Sequence, residues 1–95
     1  MKTDGFEWDE GNWPRCAKHG VSKDEIEFAL LNTPMVMPDR SPVTHETRFN
    51  AVGRTARGRH FFIVFTLRQS SLGIRLRPIS ARFMHKKEIE RYEQR

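Results

Sequence analysis

The second half of the chain alternates its side chains with a period of two, which is typical of β-strands with one buried face. A sheet built from such strands needs a cover over its apolar face, whereas its other face can stay polar and carry arginine. In the longest stretch every odd position is apolar: Phe61, Ile63, Phe65 and Leu67. We predict three strands joined by two hairpin turns, with strands at residues 48–55, 60–68 and 74–82 and turns at 56–58 and 70–73.

Two prolines shape the predicted ends and edges of these elements. Pro78 lies inside the last strand, so that strand is predicted to be an edge strand with a bulge before Arg82. Pro34 precedes a short strand predicted at 35–37. A further strand candidate lies at 6–8, and residues 39–45 are predicted to form a loop.

The clearest local signal marks a helix that begins after Ser22. Ser22 and Glu25 form a capping box, and Val21 and Ile26 form a hydrophobic staple around it. The helix is predicted to stop at Thr33-Pro34.

Two further helices are predicted on either side of the strands. The first covers residues 11–19, where Asn12 is expected to cap it, Pro14 suits its first turn and Gly20 ends it. The second is a charged helix over 84–95, with three side chains on one face: His85, Ile89 and Tyr92. The predicted fold is therefore a single α+β domain over residues 1–95, a twisted antiparallel sheet of about four strands with two N-terminal helices and one C-terminal helix.

Charge and composition narrow the function classes. Twelve of the 17 basic residues are arginine, and the net charge is +5. The planar guanidinium matches phosphate and stacks on bases, so these arginines favour nucleic acid or an acidic partner. Cys16 stands alone, which excludes an intrachain disulfide and a cysteine-based zinc site. No apolar run is long enough for a membrane span and no signal peptide is evident, so we expect a cytoplasmic protein.

Seven short strings, taken in order, resemble the BrnT family of bacterial type II toxins, within the wider RelE-like group of RNA-cleaving toxins. The resemblance implies an α+β toxin that cleaves RNA and is neutralised by an antitoxin, usually one with a ribbon-helix-helix DNA-binding part, in a hetero-oligomer. The strings are Phe6-Glu7-Trp8-Asp9, Lys18-His19-Gly20-Val21-Ser22, Glu46-Thr47-Arg48-Phe49, Gly53-Arg54, Thr66-Leu67-Arg68, Ile79-Ser80-Ala81-Arg82 and Glu88-Ile89-Glu90-Arg91-Tyr92-Glu93.

RNA cleavage by 2′-hydroxyl attack needs a base, positive donors around the phosphate, and an acid for the leaving oxygen. Arginine supplies the donors, whereas histidine, lysine or glutamate can move protons. The predicted catalytic residues are Arg54, Arg68, Arg82, Lys18, His19 and Glu46. The predicted RNA-binding residues are Arg48, Arg57, Arg75, Arg77 and Tyr92.

Simpler interpretations stand beside these assignments. The arginines can form ion pairs with Glu46 or Glu88, and His19 can interact with the carbonyls at a helix end. His60 lies about 26 Å along the strand from Arg68, so the two are not expected to share a phosphate.

The chemistry that the motifs favour uses no metal and no cofactor. The chain has no glycine-rich phosphate loop and no histidine and aspartate at metal-ligand spacing, so we predict metal-independent acid–base cleavage. The alternative is a binding module without catalysis, whose arginine-rich sheet holds nucleic acid or a partner.

Overall fold

The computed structural model describes residues 2–39 and 46–94, and it has the predicted α+β architecture. A four-stranded antiparallel sheet with the order β1-β2-β3-β4 follows two N-terminal helices and precedes one C-terminal helix. The elements are α1 (Trp13–Ala17), α2 (Lys23–Leu31), β1 (Met35–Pro38), β2 (Arg48–Arg54), β3 (His60–Ser70), β4 (Gly73–Phe83) and α3 (Lys86–Glu93). Most of the predicted loop at 39–45 lies outside the described residues.

Helix α2 begins where the capping box predicts. The hydroxyl of Ser22 accepts a hydrogen bond from the backbone N–H of Glu25, and the carboxylate of Glu25 accepts one from the backbone N–H of Ser22. Val21 and Ile26 are both buried in the core, as a staple requires. Leu31 is the last helical residue, two positions before the predicted stop.

Helix α1 differs from its prediction, because it spans five residues rather than nine and Asn12 does not cap it through its side chain. The Asn12 side chain is buried, and it forms hydrogen bonds with backbone groups outside the helix instead. Its Oδ1 accepts from the N–H of Asp9 at 2.8 Å, and its Nδ2 donates to the carbonyls of Glu7 and Pro78, each at 2.8 Å. Asn12 therefore fastens the N-terminal segment to β4, which is a long-range contact that local propensity does not encode.

Strand β3 is an inner strand of the sheet and pairs with β2 on one side and β4 on the other. Its buried Phe65 pairs with Phe49 of β2 on one side and with Pro78 of β4 on the other. The ladder shifts register beside Pro78, which confirms the predicted bulge. The predicted strand at 6–8 is reduced to one parallel bridge, between Phe6 and Leu76, which covers part of the β4 edge.

The two faces of the sheet divide the core from the charged side chains. Helices α1 and α2 cover the apolar face, where Phe61, Ile63 and Phe65 are buried. Leu67 follows the same alternation but is 45% exposed. Helix α3 lies against the opposite face, where its Tyr92 contacts His60, a position that the sequence does not indicate.

Helix α3 is shorter than predicted and carries no buried residue. His85, which was expected on the packing face of this helix, is exposed at its N-cap. In the part of the chain that the structure describes, no helix is long and apolar enough to cross a membrane.

Close contact between α2 and β2 depends on Gly53. A Cβ at this position would lie 2.9 Å from the carbonyl oxygen of Ala29, which is backbone and has little freedom to move. The absence of a side chain lets the end of α2 approach the end of β2, and this approach forms one wall of the site described below.

We expect Asn12→Ala to lower the free energy of unfolding by about 2–4 kcal/mol, since it leaves buried backbone groups without partners. The matched control is Asn32→Ala, which removes one exposed hydrogen bond to Phe28 at 2.7 Å and should cost less than about 1 kcal/mol. Urea unfolding followed by fluorescence measures both. Equal losses in the two variants would contradict the anchoring role of Asn12.

Candidate functional site

The sheet face opposite α1 and α2 carries six arginine positions and is called here the arginine face. Strand pairing places them in successive rows, because directly paired residues share a face. Arg54 pairs with His60, and Arg82 pairs with Phe62, at the end of the sheet where α3 lies. The other positions are Arg48 and Arg77, both paired with Thr66, and Arg75, paired with Arg68.

At the end away from α3, which we call the paired end, carboxylates accompany the arginines. Arg68 lies 3.2 Å from Glu46 and 3.6 Å from Glu7. Arg48 lies 3.8 Å from the same Glu46. Glu46 therefore bridges two guanidinium groups, as one of the simpler interpretations of the sequence proposed.

Arg77 completes this network and is its least exposed member. Its guanidinium is 13% exposed and donates to Glu7 at 2.7 Å and to Asp9 at 2.8 Å. The hydrogen bonds from Arg77 and from the backbone of Gly11 hold the pKa of Asp9 below its usual value, and Asp9 in turn raises the pKa of Arg77. Three arginines thus face three carboxylates, and their charges offset one another, whereas the fourth arginine of the paired end, Arg75, forms no ion pair among the described residues.

At the other end of the face, called the helix end, α3 supplies one carboxylate to Arg82. Both oxygens of Glu88 accept from the Arg82 guanidinium, at 2.7 and 2.8 Å. Glu88 also accepts the backbone N–H of His85 at 2.9 Å and so caps α3. The Arg82 hydrogen bond, followed by the His85 one, lowers the pKa of Glu88 to about 2. Two of the five guanidinium N–H groups are used here, which leaves three for a substrate.

A pocket of about 210 Å³ opens at the helix end, between the end of α2 and the end of α3. The Tyr92 ring meets the His60 imidazole edge to face at 6.0 Å. The Nε2 atom of His60 is buried and has no hydrogen-bond partner among the described residues. The lining residues are Asn32, Thr33, Val52, Gly53, Arg54, His60 and Tyr92.

Thr33 adds an unusual backbone to this pocket. Its φ is +50°, a left-handed conformation that a β-branched residue rarely adopts. Such outliers concentrate at functional sites, where the surrounding structure holds them. Here the strained residue follows α2 directly and faces the pair Arg54 and His60 across the pocket.

The structure does not bring all the predicted catalytic residues together. Arg82 pairs with Phe62 of β3, and Arg68 lies on β3 six residues after Phe62. Arg68 and Arg82 are therefore about 20 Å apart along the strand direction. Glu46 belongs to the Arg68 end. Lys18 and His19 are exposed at the end of α1, in the helix layer on the other side of the sheet.

The predicted RNA-binding residues also lie in separate parts of the structure. Tyr92 lines the helix-end pocket and Arg57 lies in the exposed β2–β3 turn. Arg48 and Arg77 belong to the ion pairs of the paired end. Arg75 packs near Gly5, and its Nε is buried without a hydrogen-bond partner in residues 2–39 and 46–94.

His60 is the site residue that sequence reasoning did not select. Its strand was predicted correctly, and the hairpin turn at 56–58 already pairs it with Arg54. The missing information was the position of α3, because Tyr92 turns a surface histidine into the wall of a pocket. Among the described residues no three histidine, cysteine, aspartate or glutamate side chains lie together as a metal ion requires.

A four-stranded sheet that presents arginines beside a histidine and a tyrosine defines a small domain suited to acting on phosphodiesters. The family model described as the ribonuclease toxin BrnT of type II toxin–antitoxin systems matches residues 8–88, most of the chain. The chain belongs to this family, as the strings in the sequence suggest. No curated protein matches it closely enough to be counted as a relative.

The Arg82–Glu88 ion pair makes the free energy of unfolding depend on pH in the acid range. Because the pKa of Glu88 is depressed from 4.5 to about 2, its contribution is complete above pH 4.5 and is lost as pH falls towards 2. The pair is about one third exposed, so we expect at most about 1 kcal/mol. Glu88→Gln should be less stable than the unmodified protein at pH 7, and this difference should vanish near pH 2.

Urea unfolding at pH 7, 4 and 2.5 measures this difference. Glu90→Gln, at an exposed position of the same helix, is the control, and its effect should change little with pH. A Glu88→Gln effect that persisted undiminished at pH 2.5 would mean that the charge of the pair contributes nothing.

Proposed function

We propose that this ribonuclease toxin cleaves RNA without a metal ion, and that cleavage takes place at the helix end of the arginine face. The observation that carries the proposal is the pocket itself. It joins a histidine whose Nε2 has no hydrogen-bond partner among the described residues to an arginine, a tyrosine and a strained backbone. The family supplies RNA as the substrate, and the pocket supplies a proton acceptor and a positive donor for its cleavage.

His60 is proposed to accept the proton of the 2′-hydroxyl through Nε2. The 2′-oxygen then attacks the adjacent phosphorus, and the bond from phosphorus to the 5′-oxygen breaks. The products are a 2′,3′-cyclic phosphate and a 5′-hydroxyl. The 5′-oxygen takes its proton from water on the exposed side of the pocket, and the proton held by His60 then neutralises the hydroxide so formed and regenerates the base. Nε2 is buried in the free protein, so RNA binding must first expose it. It has no internal partner among the described residues, so no hydrogen bond in the protein must break before it accepts this proton.

Arg54 and Arg82 are proposed to stabilise the charge that grows on the phosphoryl oxygens. Arg54 is exposed and pairs with His60 on the ladder, so both can reach one phosphate. Arg82 stays oriented by Glu88 and by the Phe62 ring, which lies 5.0 Å from its guanidinium carbon. Tyr92 is proposed to contact the ribose or base next to the scissile bond.

The remaining predicted catalytic residues lie outside this pocket. Arg68 and Glu46 neutralise each other at the paired end, and Lys18 and His19 lie on the helix side of the sheet. We propose that they do not take part in the chemical step. Cleavage by a constellation at the paired end is the competing assignment that the experiment below separates.

The first test measures cleavage of single-stranded RNA by purified toxin in EDTA. Activity should persist, and His60→Gln should reduce the rate by about 10²–10⁴-fold, the usual range for a general base. Arg54→Gln and Arg82→Gln should each reduce it by at least about tenfold. Arg15→Gln, an exposed arginine of α1, is the matched control and should leave the rate unchanged.

Two outcomes would contradict parts of this assignment. Loss of cleavage in EDTA would remove the metal-free mechanism. A larger loss in Arg68→Gln than in His60→Gln would move the reaction to the paired end. Binding of RNA by the unmodified protein without any turnover would favour the alternative of a binding module.

The second test concerns growth. Expression of the toxin alone is proposed to inhibit translation and stop growth of the host bacterium, in whose cytoplasm its RNA lies. His60→Gln should restore growth while keeping the same unfolding midpoint, and Arg15→Gln should remain toxic. If His60→Gln were still fully toxic at equal expression, the proposed base would be wrong.

A type II toxin has a cognate antitoxin. We propose that this antitoxin carries a ribbon-helix-helix DNA-binding part and forms a hetero-oligomer with the toxin. The uncompensated positive charge of the helix end favours an acidic antitoxin segment, since complementary charge steers association and fixes orientation.

A further inference from the structure

The arginines of this chain differ in whether a carboxylate accompanies them. Four of them form ion pairs: Arg48, Arg68, Arg77 and Arg82. Within residues 2–39 and 46–94, no ion pair involves Arg54, Arg57 or Arg59. These three lie within six residues of one another, in a segment that we call the basic hairpin (residues 54–59). Arg15, Arg75 and Arg91 also form no ion pair within these ranges, but they lie on three different elements, α1, β4 and α3. The basic hairpin therefore brings three such arginines together, directly beside the His60 pocket.

The backbone of the basic hairpin is held by one buried side chain. The hydroxyl of Thr55, which is 6% exposed, accepts from the N–H of Arg57 at 3.3 Å and from the N–H of Arg59 at 3.1 Å. Thr55 also bonds the carbonyl of Arg59 and the N–H of Gly58 through its backbone, each at 2.9 Å. Gly58 supplies the positive φ, +84°, that this turn needs. These hydrogen bonds therefore hold the backbone that carries Arg57 and Arg59 in one conformation.

Arg59 is held further by aromatic stacking. Its guanidinium carbon lies 3.5 Å from the centroid of the Phe83 ring, and Phe83 stacks at 4.5 Å on Phe61, which is fully buried. Stacking occupies the flat face of the guanidinium and leaves the N–H groups at its edge able to donate. A side chain that is already ordered loses less conformational entropy when it binds a phosphate.

The three arginines follow a path that leaves the pocket. Arg54 lies on the arginine face with His60, Arg57 lies in the turn, and Arg59 stacks on Phe83, which shares the opposite face with Phe61. A polyanion held at His60 would therefore meet further positive charge as it passes over the end of the sheet. The chemistry suits successive phosphates of one flexible strand.

We propose that Arg57 and Arg59 form a second phosphate-binding subsite, which holds the single-stranded RNA flanking the scissile bond. The inference rests on the proposed cleavage at His60, because it takes RNA as the ligand that continues from that pocket. The subsite contacts the backbone and reads no base, since guanidinium groups at a turn offer only charge and edge donors to the phosphates. It sets affinity and the minimum length of a good substrate.

The test measures binding of a 12-nucleotide, fully 2′-O-methylated RNA, which cannot be cleaved because it lacks the attacking hydroxyl. Fluorescence anisotropy at a series of NaCl concentrations gives the slope of log affinity against log salt. The Arg57→Gln/Arg59→Gln variant should reduce the magnitude of that slope by about 1.4, since each phosphate contact on a single strand contributes about 0.7. Its affinity should fall most clearly at low salt.

A matched control separates the subsite from net charge. The Lys2→Gln/Arg15→Gln variant removes the same two charges at exposed positions away from the hairpin and should keep the original slope. His60→Gln should also keep it, so loss of chemistry and loss of the subsite are measured independently. Thermal unfolding of both double variants shows whether the hairpin itself is intact.

Three results would overturn the subsite. The first is an unchanged slope in the hairpin variant, whatever happens to cleavage. The second is an equal change in the control variant, which would make the effect one of net charge alone. The third is a hairpin variant that binds RNA normally but loses affinity for the antitoxin, because the hairpin would then be a protein-binding surface.

Discussion

The pairing of β3 with both β2 and β4 is the constraint on which the core and the site both depend. Strand side chains alternate, so the register that buries Phe61 and Ile63 necessarily turns His60 to the other face. The same ladder brings Arg54 from one neighbouring strand and Arg82 from the other. A slip of one residue would exchange the two faces and lose core and site together.

The distribution of carboxylates then decides which arginines keep an uncompensated positive charge. Glu7 and Asp9 come from the N-terminal segment and Glu46 lies two residues before β2, and together they offset the charges of Arg48, Arg68 and Arg77. No comparable group accompanies the basic hairpin within the described ranges, 2–39 and 46–94. A surface whose uncompensated charge is concentrated at one end attracts a polyanion mainly to that end, and salt weakens this attraction.

Stability and electrostatics are linked through the N-terminal segment. Asn12 holds this segment against β4, and the segment in turn presents Glu7 and Asp9 to Arg77. The hydrogen bonds of Asn12 therefore stabilise the fold, and they also hold in place the carboxylates that offset the charge of Arg77. Glu88 has a similar double role at the other end, since it caps α3 and orients Arg82.

Alternation, proline and capping act within a few residues, so the amino-acid sequence was enough to predict the four strands of the sheet, the bulge at Pro78, the start of α2 and the family. Tertiary structure alone decided that Asn12 is an anchor, that α3 lies on the arginine face and that His60 lines a pocket. Arg77 and Glu7 are seventy residues apart in the chain yet 2.7 Å apart in space. Local patterns carry no information about such pairs, so only the folded chain shows which arginines have a carboxylate partner and which do not.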